Sequence, residues 1–178
     1  MDDIPASASD AASGLLQEKA AALVSAATAR NLKIVTAESC TAGRIATRLA
    51  DVPKASDAVF GGFVVYTVDA KERLGVPRDI LEKFGPVSEP VARLLAEAAL
   101  ARSDADISLS VTGVAGPTTD DDGNPVGLVF LAASQRGVAT KLVRKEYGRM
   151  HREAILANAV NDALDLLALM INEQSASV

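Results

Sequence analysis

The stretch "LKIVTAESCTAGRIATRLADV", Leu32 to Val52, predicts the unit around which the fold is built. Its apolar, β-branched start is typical of a short strand over residues 32–37, and the Ala, Ile and Leu spacing that follows predicts a helix that starts near Ala42 and ends before Pro53. In open α/β sheets, ligands gather beyond the carboxyl ends of strands, where free N–H groups of a helix favour negative charge. The turn between strand and helix is therefore the first candidate site, and it holds Ser39, Cys40 and Thr41.

Helix and strand patterns alternate along the rest of the chain. Residues 11–30 predict an amphipathic helix, and the β-rich run 57–67 contains Gly61 and Gly62, a pair that indicates a bulge or a close backbone approach. Further helices are predicted near 70–74, 78–84, 88–103 and 152–171, and further strands within 106–113, 126–134 and 139–147. Strands separated by helices and followed by two successive strands predict an α/β fold, specifically a three-layer α/β/α sandwich with a mixed, mostly parallel β-sheet.

Length and composition favour one folded domain. The chain has 178 residues, of which 49% are hydrophobic and only 3% aromatic, so its core must be built mainly from Ala, Val, Leu and Ile. Acidic and small residues around Pro5 predict a disordered tail at residues 1–12. A single domain is expected over residues 13–174.

Charge and composition exclude several classes of partner. The net charge of −5 and the absence of a basic stripe argue against nucleic acid. The start of the chain has no secretion-signal pattern, and no run of about 18 apolar residues is present, so we expect a cytoplasmic protein with no membrane partner. One Cys and one His cannot form a zinc site of three or four such ligands, so no metal is expected. Small α/β enzymes commonly form symmetric homo-oligomers, but the sequence does not fix the oligomeric state.

The turn after the first strand offers alternatives for both a structural and a chemical role. Ser39 or Thr41 can cap the following helix, and a capping residue can also be a nucleophile. Cys40 is an alternative nucleophile, but free cysteines are frequently buried as small apolar residues.

A serine nucleophile needs a base, for which the sequence offers a histidine or a lysine. His151, the one histidine, lies in the polar segment before the last helix, which is typical of a solvated side chain. Lys71 follows the second β-rich run, five positions after Tyr66. If the first two strands are neighbours, both side chains meet Ser39 at one edge of the sheet, and burial would lower the pKa of the lysine. The alternative is a solvated surface lysine.

A second strand end, "SVTGVAGP" at Ser110 to Pro117, has two glycines that let backbone approach a ligand. The acidic loop after it, "TTDDDGNP" at residues 118–125, lacks the terminal Glu of a calcium loop and is interpreted as a solvated turn. Arg149 and Arg152 precede the last helix, where they can neutralise a phosphate or remain surface charges.

Six stretches, found in the same order, resemble the C-terminal domain family of the competence/damage-inducible protein CinA. They are "AESCTAG", "VFGGFVVYTVDAKERLGVP", "GPVSEPVA", "VTGVAGP", "PVGLVFLA" and "REAILANAV", and they cover about Ala37 to Leu167. Stand-alone members of this family are nicotinamide-nucleotide amidases. The resemblance therefore implies an α/β/α sandwich that hydrolyses the carboxamide of nicotinamide mononucleotide, with a small-molecule nucleotide as its partner.

The resemblance also implies roles for individual residues. Ser39 matches the family's nucleophile, while Tyr66 and Lys71 match its tyrosine-to-lysine motif, so the implied catalytic group is Ser-Lys assisted by a phenol. In this scheme Lys71 takes the Ser39 proton, backbone N–H groups near Thr41 to Gly43 hold the oxyanion, and no cofactor is required. The substrate-binding positions expected on this basis are Thr41, Ala42, Gly43, Thr112, Gly113, Gly116 and Arg152.

The chain departs from the family pattern at several positions. The family usually has glycine at Ala42, a Ser-Asn pair at Thr67 and Val68, "GGS" where this chain has "TTDDD", and a second arginine at Leu156. Loss of a cation and gain of acidic residues predict weaker binding of a phosphorylated substrate. Two further hypotheses are therefore a nucleotide-binding or regulatory module with little catalysis, and a Ser-Lys hydrolase of another small amide.

Overall fold

A sheet of five strands forms the middle layer of the structure, a computed structural model that describes residues 8–173 and, among side chains, those from Ser13 onward. The strands are β1 (Ile34–Glu38), β2 (Val59–Val64), β3 (Ile107–Gly113), β4 (Leu128–Gln135) and β5 (Val138–Glu146), in the spatial order β2-β1-β3-β4-β5. Strand β1 pairs in parallel with β2 and β3, whereas β4 is antiparallel to both β3 and β5. Four of these five strands therefore run in one direction, which confirms the predicted mixed, mostly parallel sheet.

Helices cover both faces of the sheet. They are α1 (Ala8–Ala29), α2 (Arg44–Ala50), α3 (Val68–Leu74), α4 (Arg78–Phe84), α5 (Glu89–Ala101) and α6 (Arg152–Glu173), with a short 3₁₀ helix at Ala55–Asp57. Helices α1, α2 and α6 contact one another on one face, and α3, α4 and α5 do so on the other. Each face has its own apolar core against the central strands, so the three-layer α/β/α sandwich is confirmed.

The boundaries of the first helix differ from the prediction. Helix α1 begins at Ala8, so residues 8–12 are helical although the sequence placed them in a disordered tail. The part of that predicted tail at residues 1–7 lies outside the described residues. Helix α2 begins at Arg44, two positions after the expected start.

The last helix, α6, is long and apolar enough to cross a membrane by length and composition alone. In this fold 56% of its apolar 18-residue segment is buried, and its inward-facing residues pack against α1 and the sheet. Helix α6 is therefore a core helix of the sandwich.

Strand β2 has both features that its glycine pair indicated, a bulge and a close approach to the neighbouring strand. The pairing register of β1 with β2 shifts after Ile34, so that Val35 lies opposite Gly61 and Phe60 is left over as a bulge. A Cβ at Gly62 would lie 2.5 Å from Thr36 Oγ1, so the two strands approach closely there. The bulge and the close approach set the register that brings the end of β2 beside the end of β1.

Three parallel strands end at the same edge of the sheet. Glu38 ends β1, Val64 ends β2 and Gly113 ends β3. The chain segments after these strands therefore meet above the carboxyl edge. The candidate residues at positions 39, 66 and 116 all follow one of these strand ends.

The connection from β1 to α2 contains a backbone conformation that alanine adopts at a cost. Ala42 has φ +50 and lies in the left-handed region, followed by Gly43 at φ +95. A left-handed residue with a Cβ costs about 1 to 2 kcal/mol, which explains why glycine suits position 42.

We expect Ala42→Gly to raise the free energy of unfolding by about 0.5 to 1 kcal/mol, because relief of this strain exceeds the extra entropy of glycine in the unfolded chain. Urea unfolding measures the change. The control is Ala157→Gly, at an exposed interior position of α6, which should lower stability by about 1 kcal/mol. A loss of stability in both variants would contradict the strain argument.

Candidate active site

A cavity of about 440 Å³ opens at the carboxyl edge of the sheet. Six of the catalytic and substrate-binding residues expected from the resemblance line it: Ser39, Tyr66, Lys71, Gly113, Gly116 and Arg152. They come from four separate segments of the chain, joined by the parallel arrangement of β1, β2 and β3 and by the start of α6. We call this cavity the edge pocket.

The candidate nucleophile lies at the floor of the edge pocket, at the end of β1. The N–H of Ser39 donates to the Val111 carbonyl oxygen at 3.0 Å, and its own carbonyl oxygen accepts from the Ala42 N–H at 3.1 Å. The residue is 6% exposed, and its hydroxyl forms no hydrogen bond within the described part of the chain. The backbone of Ser39 is therefore fixed while the hydroxyl remains available to a ligand.

A buried carboxylate caps the N-terminus of α2, and the sequence interpretation missed it. Glu38 is 1% exposed, and its side chain accepts hydrogen bonds from five donors. The donors are the hydroxyls of Thr36 and Thr41 and the backbone N–H groups of Gly43, Ile45 and Ala46. Acidic groups are favoured at helix N-termini, and Glu38 supplies this group from the preceding strand. A glutamate at the end of a buried strand, directly before a helix, was the available sequence signal.

This capping changes the roles expected for Thr41, Ala42 and Gly43. The Thr41 hydroxyl donates to Glu38 Oε2 at 2.7 Å, and the Gly43 N–H donates to the same oxygen at 2.9 Å. Ala42 and Gly43 line a different cavity, between α1, α2 and α6. None of these three residues lines the edge pocket, and Glu38 holds the Thr41 hydroxyl and the Gly43 N–H.

Two backbone N–H groups of the turn remain for an oxyanion. Within the described residues, the N–H groups of Cys40 and Thr41 donate no hydrogen bond to another residue, although the Cys40 N–H also interacts with its own sulfur. The N–H of the residue after a serine nucleophile is a frequent oxyanion donor. Of the donors expected near Thr41 to Gly43, the Gly43 N–H is thus taken by Glu38, and the N–H groups of Cys40 and Thr41 are the candidates that remain.

The candidate base is a buried lysine. Lys71 is 2% exposed, and its Nζ donates to the Pro86 carbonyl oxygen at 2.7 Å and to Thr112 Oγ1 at 3.0 Å. Burial lowers the pKa of Lys71 to about 8, and the nearby Cys40 and Asp120 partly oppose that decrease. A lysine with this pKa has a substantial neutral fraction near neutral pH and can accept a proton.

Thr112 is placed differently from its expected role in substrate binding. Its side chain is fully buried, and its hydroxyl donates to the Pro86 carbonyl oxygen at 2.8 Å while it accepts from Lys71. Thr112 therefore positions the lysine from below the pocket instead of lining it.

The alternative nucleophile and base are less suited to the chemistry. Cys40 lines the edge pocket and is 6% exposed like Ser39, but burial raises the pKa of its thiol to about 11, so it stays protonated near neutral pH. His151 is exposed and does not line the edge pocket. Tyr66, by contrast, lies at the mouth of the pocket with 59% of its surface exposed.

The remaining wall of the pocket is the loop after β3. A Cβ at Gly113 would lie 2.7 Å from the Leu128 carbonyl oxygen, so only glycine fits this close approach of β3 and β4. Arg152 Nη1 donates to the Gly116 carbonyl oxygen at 2.9 Å, which ties the loop to the start of α6. Asp120, from the acidic loop, also lines the pocket, so this part of the loop is not simply a solvated turn.

Comparison with known proteins places this chain in a family. The family model "CinA C-terminal domain" matches residues 16–171. The chain belongs to the CinA C-terminal domain family.

A "CinA-like protein" of Akkermansia muciniphila is 48% identical over 121 residues, 67% of this chain and 29% of that protein. A "CinA-like protein" of Anaeromyxobacter is 42% identical over 91% of this chain and 40% of its own length. The chain thus spans well under half of these curated relatives.

Solved structures of the CinA family match the fold over nearly the whole chain. The competence/damage-inducible protein from Agrobacterium tumefaciens superposes with a TM-score of 0.85 at 37% identity, covering 97% of this chain and 99% of that one. A CinA superfamily protein from Escherichia coli gives a TM-score of 0.84 at 32% identity, covering 95% of each chain. The α/β/α sandwich is therefore the fold of the CinA family.

The family departures lie at different distances from the edge pocket. Leu156 is 1% exposed in the core and lines the second cavity together with Ala42, so neither faces the candidate base. Thr67 and Val68 do line the edge pocket, and Thr67 caps α3 by accepting from the Ala70 N–H at 3.2 Å.

We expect Glu38→Gln to lower the free energy of unfolding by about 2 to 4 kcal/mol. The amide has no negative charge, and its NH2 group would face hydroxyl and N–H groups that are themselves donors. Urea unfolding measures the loss. Glu18→Gln, on the exposed face of α1, is the control and should change stability by less than about 0.5 kcal/mol. Equal stability of the two variants would show that the capping contacts contribute little.

We expect Lys71→Met to be more stable than the wild type at pH 7, by about 1 to 3 kcal/mol, since it removes a buried charge. The unfolded lysine, with its ordinary pKa of 10.5, binds its proton more tightly than the folded one, whose pKa is about 8. Wild-type stability should therefore rise between pH 8 and 10.5, and the advantage of the variant should shrink there.

Urea unfolding at several pH values from 7 to 10 tests this dependence on Lys71. Lys54→Met, at an exposed position, is the control and should follow the wild type at every pH. A difference between Lys71→Met and the wild type that stays constant across this range would contradict the lowered pKa.

Proposed function

We propose that this protein is an amidohydrolase that hydrolyses the carboxamide of nicotinamide mononucleotide, or of a closely related amide, through Ser39 and Lys71. The observation that carries the proposal is the edge pocket itself, where a serine hydroxyl with no protein partner among the described residues and a buried lysine with a pKa of about 8 face one cavity. A cytoplasmic location and a small-molecule nucleotide partner belong to the same proposal.

The hydrogen bonds of Lys71 suit its neutral form. A neutral amine has two N–H groups and one lone pair, and Lys71 Nζ makes two hydrogen bonds to protein acceptors. Its lone pair is then left for the proton of Ser39. Direct contact between the two groups is absent from the described hydrogen bonds, and such contacts frequently tighten only when substrate binds.

The proposed reaction proceeds in two stages. Lys71 takes the proton of Ser39 while Ser39 Oγ forms a bond to the amide carbon, and the N–H groups of Cys40 and Thr41 stabilise the resulting oxyanion. The Lys71 ammonium then donates its proton to the leaving nitrogen, the C–N bond breaks and ammonia departs. Lys71 then takes a proton from water, which attacks the acyl carbon, and returns that proton to Ser39 Oγ as the ester C–O bond breaks. The released acid ionises to the carboxylate.

Tyr66 and Arg152 fit positioning roles in this scheme. Tyr66 lies at the mouth of the pocket, where its phenol can donate to a polar group of the substrate. Arg152 uses Nη1 for the Gly116 carbonyl oxygen, which orients its guanidinium at the pocket wall. A guanidinium in this position can bind a ribose or phosphate oxygen.

A second candidate function is nucleotide binding without efficient hydrolysis. Lys71 contacts Pro86 and Thr112 instead of Ser39, which is the observation that favours it. This function predicts saturable binding and a thermal shift with no ammonia release.

Ammonia release from nicotinamide mononucleotide by the purified protein tests the proposal. Ser39→Ala and Lys71→Met should each lower kcat by at least about a hundredfold. The value of kcat/KM should rise about tenfold per pH unit below pH 8 and become level above it, since only neutral Lys71 accepts a proton.

The control variant is Lys54→Met, which should retain wild-type activity. Turnover that survives both Ser39→Ala and Lys71→Met would contradict the Ser-Lys mechanism. A panel of small amides separates the nucleotide from other amide substrates, and saturable binding with no ammonia from any amide would favour the second candidate.

A further inference from the structure

One lining residue of the edge pocket has no role in the proposed reaction. Asp120 lies on the wall formed by the loop after β3 and contributes the one carboxylate that lines the pocket among the described residues. The lining also contains two basic side chains, Lys71 and Arg152. The charge pattern of the pocket is therefore mixed, with Asp120 as its negative group.

The carboxylate of Asp120 is held in place by its own loop. Its Oδ1 accepts from the Asn124 backbone N–H and its Oδ2 accepts from Asn124 Nδ2, both at 2.8 Å. The Gly123 N–H also donates to the Asp120 carbonyl oxygen at 3.1 Å. Asp120 is thus a fixed charge and not a mobile surface side chain.

The loop that carries Asp120 also contacts the segment that holds the candidate base. A Cβ at Gly85 would lie 2.6 Å from Asp122 Oδ2, so Asp122 lies directly over the backbone beside Pro86. The carbonyl oxygen of Pro86 accepts a hydrogen bond from Lys71. The loop that carries Asp120 therefore packs beside the segment that accepts from Lys71.

The charge of Asp120 reaches the reacting end of the pocket. It raises the pKa of Lys71 against the larger effect of burial, as does Cys40. Since the Cys40 thiol has a pKa of about 11 and is neutral below it, the negative charge that acts near neutral pH comes from Asp120. A positive charge on a substrate ring next to the amide would feel the same attraction.

We propose that Asp120 is a specificity-determining residue: its carboxylate favours an amide whose ring carries a positive charge and disfavours the same molecule when it also carries a phosphate. This inference rests on the proposed function, because it names the substrate class of that site. A pyridinium carboxamide with an uncharged sugar has one positive charge. A phosphate monoester adds about −1.5 to −2 charges at pH 7, which Asp120 repels.

Binding of two probes tests the inference: nicotinamide riboside, which has the pyridinium charge and no phosphate, and nicotinamide mononucleotide, which has both. Titration calorimetry on the full chain with Ser39→Ala prevents turnover. The quantity compared is the ratio of the two affinities, because Arg152 in the same lining can still bind a phosphate oxygen. Adding Asp120→Asn should weaken riboside binding by about fivefold to tenfold and leave mononucleotide binding unchanged or tighter.

The matched control is Asp121→Asn, in the same loop but exposed and outside the pocket lining. Asn at position 120 keeps an oxygen for the Asn124 N–H, so the loop retains one of its closing bonds. The control should leave both affinities within about twofold, because its charge is screened by solvent. A change in the ratio of the two affinities that is confined to position 120 supports the inference.

Three outcomes overturn the inference: no binding of either probe, an equal change of both affinities in Asp120→Asn, or the same change in Asp121→Asn. Ammonia release by the protein with Ser39 intact is measured in parallel with both probes. Selective binding without ammonia release would contradict the proposed hydrolysis and still support the role of Asp120. Ammonia release with an unchanged ratio of affinities would support the proposed hydrolysis and contradict the role of Asp120.

Discussion

The structure of the candidate site depends on one buried carboxylate. Glu38 ends the central strand β1 and accepts five hydrogen bonds, three of them from the first N–H groups around the start of α2. A buried carboxylate is tolerated only when its oxygens are satisfied, so these donors and Glu38 require one another. The turn between them has a single arrangement: Ser39 and Cys40 face the edge pocket, while Ala42 and Gly43 face the second cavity.

The sequence predicted the parts of the fold that depend on local patterns. Helix α4 was predicted at its observed bounds because Pro77 and Gly85 flank a short periodic segment. The meeting of residues after β1, β2 and β3 followed from the parallel arrangement that alternating strands and helices favour. Family resemblance, and not the pattern alone, selected Ser39 and Lys71 from the alternatives.

The remaining features of the site depend on contacts between distant segments. Composition favours a solvated lysine, and the burial of Lys71 requires acceptors at Pro86 and Thr112, which come from other parts of the chain. The role of Glu38 requires a left-handed turn at residues 42 and 43, which brings the Thr41 hydroxyl and the N–H groups of Gly43, Ile45 and Ala46 to one side chain. No periodicity of residues 38–46 encodes that convergence, so the sequence could not show that Glu38 accepts from the Gly43 N–H.

These contacts also decide which family departures bear on chemistry. Ala42 and Leu156 are far apart in sequence and lie together around the second cavity, where the backbone and the core absorb the changes. The acidic loop, by contrast, brings a fixed charge into the edge pocket beside Lys71.

The pKa of Lys71 is then a balance between burial, which favours the neutral amine, and Asp120, which favours the ammonium. A positively charged substrate ring beside Asp120 would weaken the attraction between Asp120 and the Lys71 ammonium. The pKa of Lys71 would then fall, which favours the neutral amine that can accept the Ser39 proton. Under the proposed function, the same carboxylate would therefore link recognition of the ring to activation of the nucleophile.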